Sequence, residues 1–476
     1  MRKKLNQIKN YIQKNDIIFL VILTITFELF IYFLGIYIEN IKYAVIPLLF
    51  LNFSILFVDN KNSKKKKFYF VYMLGILLRT FYILKTNVYT RQHDVGLISE
   101  FGHLGYIYYI YYNSRLPLTN IGQFYHPPLW HILASFWLVL NKFLKVEMYI
   151  SLEGIQILSL LFSSVIIIIV NNICIKIKLK EKYKNLMLLF FAVHPTLIIL
   201  SGSINNDILV TFFEFLLILV LINWQEKITW KNTIFLAIIT GLCVMSKFNG
   251  VLMAIPIIYT IIEKLKVYKN KKELKEFLKK IFVFIIISIP IGTWYQIRNL
   301  IKFNNNSIPG AIDWLYIGDN SLIDRFLKLN FKELFNYVQI TSDYNLPSYI
   351  IKSSLFGEYS FDILNIFKFI FILLNLILII ISIFFTIRYL VKDRKNKIIN
   401  ILVVTWFVNM ISMYIFNYKY PFTCSMDYRY IVITLLPGIM MIGYSLNELK
   451  NKKIRLSIEI MCYLFIITCI IFNFMI

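Results

Sequence analysis

Runs of some twenty apolar residues recur from Asp16 to the C-terminus, and few folds tolerate that. A hydrocarbon core takes roughly 20 residues per helix, and most of the runs are that long. An unbroken series of them makes an all-α polytopic membrane protein, because lipid leaves no partner for an exposed backbone amide. Composition agrees: 58% of the 476 residues are hydrophobic and only 16% are charged, against about 25% charge in an ordinary soluble domain. The basic and then apolar N-terminus resembles a secretory leader, but its apolar run over 17–38 is too long and no small-residue cleavage site follows. It reads as the first span.

The net charge of +25 invites a nucleic-acid reading that its distribution removes. The excess sits in seven short segments between apolar runs: Arg2 to Lys14, Lys61 to Lys67, Lys176 to Lys184, Lys227 to Lys231, Lys264 to Lys280, Arg388 to Lys397 and Lys450 to Arg455. Charge that tracks the connections between spans reports topology, and short basic connections lie in the cytoplasm. No nucleic-acid partner is expected, and the chain belongs in the cell membrane with a cytoplasmic N-terminus.

Threading the runs through those anchors places spans near 17–38, 42–58, 68–84, 154–174, 186–201, 206–223, 232–246, 250–263, 281–297, 363–388, 398–417, 429–446 and 456–474. This makes about 13 helices, an odd number, which puts the C-terminus outside. Residues 128–144 could span on length, but that would carry the Lys176–Lys184 segment outside and invert everything after it. They read instead as an interfacial helix with Trp130 and Trp137 at headgroup depth. The chain then divides into N-terminal spans (1–84), a first outer segment (85–153), central spans (154–297), a second large outer segment (298–362) and C-terminal spans (363–476). The cysteines Cys174, Cys243, Cys424, Cys462 and Cys469 show no CxxC pair and no metal-ligand spacing.

Polar groups with catalytic potential gather in the first outer segment, which holds His93, Asp94, Glu100, His103, His126 and His131. After Asp94 a helix-compatible run passes Gly96, Gly102 and Gly105 until Arg115-Leu116-Pro117 ends it. Tyr125-His126-Pro127-Pro128 is a rigid extended element that opens the interfacial helix. An acid after an early span, a helix with Gly-His, a Leu-Pro turn and an aromatic-His-Pro-Pro element resemble the first outer loop of GT-C glycosyltransferases. The nearest branch contains the protein O-mannosyltransferases and the lipid A aminoarabinose transferases. Downstream, Ser203-Ile204-Asn205-Asn206-Asp207, Ser246-Lys247-Phe248-Asn249-Gly250, Trp294 to Asn299, and Asp427-Tyr428-Arg429-Tyr430 resemble family elements in the same order. The resemblance covers about residues 70–450, with 298–362 matching by position alone. The chain departs from the pattern in three places. Two spans precede the one feeding Asp94, His126 stands where the aminoarabinose branch has a lysine, and Asp94 has no adjacent second carboxylate.

The resemblance implies transfer of a sugar from a polyprenyl-phosphate donor to a protein, lipid or glycan acceptor outside the membrane. Such a reaction needs a base for the acceptor hydroxyl, cations for charge developing on the leaving phosphate, and an opening for a lipid tail. Asp94 is the expected base, with helix capping as its competing role. Lys247, Arg298 and Arg429, at outer helix ends, are expected at the donor phosphate, with interfacial snorkelling as the alternative. His126 is placed with them as a hydrogen-bond donor to phosphate or to Asp207. Asp207 is expected to orient Lys247 or His126, and Glu100 to lend support or to be a surface carboxylate. Glu28, Arg79 and Glu214, inside or near spans, count as functional candidates by default. No metal ligands are assigned, because His103 and His131 have no metal spacing. No cofactor is required, although a divalent cation bridging Asp94 to phosphate is compatible with the residues.

Two other classes compete. A transporter or flippase of lipid-linked sugars would concentrate charge within spans and show repeat symmetry, and neither is visible. A polymerase or ligase of surface polysaccharide would draw on arginines in 298–362, where Arg325 is the only one well inside.

Overall fold

The computed structural model describes residues 20–22, 24–29, 32, 63–303, 321–335, 345–392 and 394–476. Among them the chain is all helical, with no strand. Helices α1 (Ser63–Lys85), α2 (His103–Asn113), α3 (Leu129–Phe143), α4 (Met148–Glu153) and α5 (Gln156–Ile177) carry the chain from the expected 68–84 span through the 85–153 segment into the bundle. Next come α6 (Glu181–Val193), α7 (Pro195–Ile199), α8 (Asp207–Glu226), α9 (Trp230–Ser246), α10 (Ala254–Leu265) and α11 (Lys271–Phe303). Short helices α12 (Leu322–Phe326) and α13 (Phe331–Phe335) precede α14 (Leu346–Phe356). The chain closes with α15 (Asn365–Lys392), α16 (Lys397–Lys419), α17 (Leu435–Glu448) and α18 (Lys452–Met475).

Among the described residues nine helices are long and apolar enough to cross a membrane, or ten when one bent pair is taken as a single span. The expected 13 are therefore not all met. The 42–58 span and most of 17–38 lie outside the described residues, and α9, over the expected 232–246, is a shorter helix of 17 residues.

The bent pair is the expected 186–201 span, broken by 50° between Val193 and Pro195. Proline has no amide to donate, so its arrival releases carbonyls one turn earlier. Arg79 answers them: Nη1 donates to the Ala192 carbonyl at 2.8 Å and Nη2 to that of Phe191 at 2.9 Å. It also donates to the Gly75 carbonyl at 3.0 Å and to Ser163 Oγ at 2.8 Å. Asn473 Nδ2 takes the Val193 carbonyl at 2.8 Å. A charge flagged from sequence as a functional candidate thus supports a helix break.

Residues 128–144 form α3, which at 15 residues is about 22 Å long, short of a hydrocarbon core of about 30 Å. Its buried face repeats at helical spacing through His131, Ala134, Ser135, Leu138 and Asn141, while Phe136 and Phe143 are exposed. That face suits an interfacial position. The tryptophans correct the sequence reading: Trp130 and Trp137 are both buried, and Trp137 Nε1 donates to the Ser151 carbonyl at 3.1 Å. Phe136 and Phe143, not the indoles, form the exposed apolar surface.

Helices α8, α9, α15 and α17 each have a basic segment at one end and an acidic or phosphate-suited residue at or beside the other. The connections at that second end build the site.

Candidate active site

Three staples assemble the site from separate connections. Gln92 Nε2 donates to the Gly202 carbonyl at 2.7 Å, and Gln92 Oε1 accepts from the Ile204 amide at 2.8 Å, which fixes the residues before Asp94 against the turn entering α8. Asn206 Nδ2 donates to the Ser246 carbonyl at 2.9 Å, setting the start of α8 beside the end of α9. Ser353 Oγ on α14 accepts from the Tyr428 amide at 3.0 Å, tying the second outer segment to the 3-10 turn Tyr428–Thr434.

Asp94 does not cap a helix. The run expected to be helical after it is a series of turns, and α2 starts only at His103 with Gly102 as its N-cap residue. Asp94 has φ +51°, a left-handed conformation that a short polar side chain tolerates. Its carbonyl accepts from the His103 amide at 2.9 Å. The fold back is close enough that a Cβ on Gly105 would stand 1.7 Å from the Glu100 carbonyl oxygen. Freed from capping, the Asp94 carboxylate is about half exposed and lies 3.5 Å from Arg429 Nη2.

Arg429 is the hub. Its Nη1 lies 3.5 Å from Asp207 Oδ2 and its Nε 3.6 Å from Asp427 Oδ2, while Nη2 donates to Tyr430 Oη at 3.0 Å. Asp207, the first residue of α8, donates its amide hydrogen to Asn205 Oδ1 at 3.0 Å. Its carboxylate is thereby left for Lys247, with which it is ion-paired. Lys247 Nζ also sits 4.8 Å from the centre of the Tyr430 ring. Asp94, Asp207, Lys247 and Arg429 are therefore one cluster, drawn from four distant parts of the chain.

His126 is buried beside it, its ring stacked 5.5 Å from that of His103 and packed 4.2 Å from that of Tyr125. Burial lowers its imidazole well below the ordinary value, helped by His103, Lys247 and Arg429. Burial likewise lowers His103 to about 4, against the opposing pull of Asp94 and Asp207. His103 Nδ1 meets His131 Nε2 at 3.0 Å. Both rings are neutral near pH 7, so neither adds charge to the cluster.

Two expected members stand apart. Arg298 lies in the last turns of α11, donates to the Pro117 carbonyl at 2.5 Å and to Asn299 Oδ1 at 2.8 Å, and rests against the Tyr295 ring. It anchors the first outer segment. Glu100 is exposed and accepts from the Leu97 amide at 2.8 Å, a local turn contact.

Three residues without an expected role join the cluster: the sequence marks His93 and Asp427 only by their place, and Glu358 not at all. His93 pairs through Nδ1 with Glu358 and stands through Nε2 3.9 Å from Asp427 Oδ2. Burial raises the Glu358 carboxyl, but His93 and then Arg429 outweigh it and hold the group well below the usual carboxylate range. Glu358 follows Gly357, whose φ of +60° turns the chain out of α14. The sequence signal was slight: an acid close before a span, at the same end as Asp94.

Beside the Tyr428–Thr434 turn lies an apolar cavity of about 790 Å³ between α15, α16 and α17, its wall including Trp406, Tyr428, Leu435 and Phe465.

Comparison with known proteins adds to this geometry. Residues 126–294, just over a third of the chain, match the family model of dolichyl-phosphate-mannose-protein mannosyltransferase. The oligosaccharyltransferase of Archaeoglobus fulgidus, crystallised with zinc and sulfate, superimposes with a TM-score of 0.50 at 11% identity, covering 84% of this chain and 52% of that one. The same enzyme tethered to an acceptor peptide with an NVT sequon gives a TM-score of 0.50 at 12% identity, covering 87% and 55%. The chain thus spans about half the length of those structures. No curated protein matches it. At these identities the likeness speaks for the fold alone, which this chain shares with those structures over most of its length.

Proposed function

We propose that this chain, built on the GT-C fold, is a membrane glycosyltransferase that moves a sugar from a polyprenyl-phosphate donor to an extracytoplasmic hydroxyl acceptor. The observation that carries the reading is the half-exposed Asp94 carboxylate held 3.5 Å from Arg429, beside the Lys247–Asp207 pair. A base that is reachable, next to two cations that are mostly buried, is what this transfer requires.

Asp94 accepts the proton of the acceptor hydroxyl, whose oxygen attacks the sugar's anomeric carbon as the bond to the phosphate oxygen breaks. Negative charge then collects on the departing polyprenyl phosphate. Arg429 and Lys247 stabilise it, and preorganised cations in a site screened from water are worth far more than in bulk solvent. Asp207 keeps Lys247 oriented. The apolar cavity beside Tyr428 supports the lipid part of the donor, since its volume of about 790 Å³ and its aliphatic and aromatic wall suit a prenyl chain. Charge gathered at helix ends favours this reading over a transport pathway, where it would line the spans.

Mass spectrometry of surface proteins, lipids and glycans from cells with and without the chain tests the proposal. A hexose or pentose that disappears with the chain supports it and identifies the acceptor. An unchanged profile, together with no transfer from polyprenyl-phosphate sugars by the purified protein, refutes it.

A further inference from the structure

Four carboxylates (Asp94, Asp207, Glu358 and Asp427) lie in ion-pair range of this cluster, against two permanent cations, Lys247 and Arg429. A phosphate would add a further negative charge to a site already short of positive charge. Unbalanced charge in a largely buried site is costly, and a further cation entering with the donor or before it would offset it.

One place is built for it. His93, Glu358 and Asp427 come from three separate parts of the chain, and one ligand atom from each lies within 4.8 Å of the others. Asp427 is 1% exposed; its Oδ1 caps the 3-10 turn by accepting from the Arg429 amide at 3.0 Å, but its Oδ2 accepts no hydrogen bond. That oxygen faces His93 Nε2 at 3.9 Å and Arg429 Nε at 3.6 Å, and this Nε also lacks a hydrogen-bond partner. Two donors on one ion with bonds of about 2.1 Å stand at most about 4.2 Å apart, so the His93–Asp427 separation needs little change, while Glu358, which contacts Nδ1 of the same ring, has to turn its carboxylate from that nitrogen to the ion.

We propose that His93, Glu358 and Asp427 bind a divalent cation. One imidazole nitrogen and two carboxylate oxygens favour a borderline ion such as Mn²⁺ or Zn²⁺ over Ca²⁺, which prefers an all-oxygen shell of six or more ligands. The ion supplies the missing positive charge beside Arg429 and releases the guanidinium from Asp427, so that it can turn toward a phosphate. That consequence rests on the glycosyl-transfer reading; the cation site itself does not.

The full chain, purified in detergent, stripped with EDTA and desalted, is titrated with Mn²⁺ while free ion is followed by electron paramagnetic resonance. Wild type takes up about one ion per chain, and Glu358→Gln and Asp427→Asn each weaken binding at least about tenfold. Asp94→Asn and Asp207→Asn stay within about threefold of wild type. Thermal melting without Mn²⁺ shows which variants are folded, and Glu358→Gln, at the partly exposed ligand, carries the test should Asp427→Asn fail to fold. Three results overturn the proposal: no uptake of ion by wild type; wild-type binding by Glu358→Gln, as expected if His93 alone bridges the two carboxylates; and an equal fall in Asp94→Asn or Asp207→Asn, which would put the ion on the carboxylates of the transfer site. Because no sugar donor is present, loss of this proposal and loss of the transferase reading are separate outcomes.

Discussion

Arg79 and Arg429 are both buried arginines in an apolar chain, and their surroundings could hardly differ more. Arg79 is 0% exposed and makes four hydrogen bonds of 2.8–3.0 Å to three carbonyls and a hydroxyl, all neutral. Arg429 is 7% exposed and faces three carboxylates, none closer than 3.5 Å, with one hydrogen bond to a tyrosine hydroxyl. Arg79 has used its fork to mend a helix break. Arg429 is held by charge at a distance, with donor capacity left for a ligand. Attraction without close hydrogen bonds marks a group that can turn; saturated hydrogen bonding marks one that cannot.

The largest effect tests the open side of Arg429. Asp94→Asn keeps the size of the side chain but removes the base, and transfer from a polyprenyl-phosphate sugar should fall about 10²- to 10⁴-fold. Single-turnover assays with purified protein measure this, and donor binding should persist. Full activity in the variant would end the assignment of Asp94 as base.

The same swap made at both arginines tests the contrast itself. Arg429→Lys retains the charge among the three carboxylates and loses the planar fork. Transfer should drop on the order of 10²-fold with the melting temperature near wild type. Arg79→Lys offers three donors to four acceptors that used the fork, and each carbonyl left bare in an apolar surrounding costs about 1–3 kcal/mol. Yield and melting temperature should fall while transfer per folded molecule stays the same. If the two variants behave alike, the distinction between a saturated and a poised arginine is wrong.

Much of this was legible in the sequence, for identifiable reasons. Apolar run length and basic connections are one-dimensional signals, and among the described residues they located the nine long apolar helices, the bent pair and the shorter α9. Asp207 and Lys247 were visible as polar residues at turns following apolar runs. Arg298 had the same credentials, yet its side chain is drawn to the Pro117 carbonyl, a contact set by how the first outer segment folds back. The roles of His93, Asp427 and Glu358 were hidden because a three-residue cluster from positions hundreds of residues apart has no spacing to read. Asp427 even had a sufficient local explanation as the cap of a turn. The tryptophans of α3 misled because amphipathic side chains are enriched both at membrane interfaces and in buried contacts, and only packing against the Ser151 carbonyl separates the two.

The smallest effect concerns acid. The Arg429 end adjoins a set of buried neutral histidines. Burial is the first cause that lowers His103 to about 4 and pushes His126 and His131 well below their ordinary value. In the unfolded chain each titrates near 6.5, the ordinary value of an imidazole. Between about pH 6.5 and 4 the unfolded state therefore takes up protons that the folded state refuses. Stability then rises with pH across that window and is lost as pH falls through it. Glu358 works in the same direction but lower down: its depressed carboxyl stabilises the fold above the ordinary carboxylate range, and that contribution fades only in stronger acid. The contribution of these histidines to the melting temperature of the purified chain should thus decline between about pH 7.5 and 5. His103→Gln, which cannot take up the proton, should remove part of that decline. A slope identical to wild type would mean that His103 is hydrated and protonated in the folded protein. The cluster around Arg429 would then hold one more positive charge than its geometry implies.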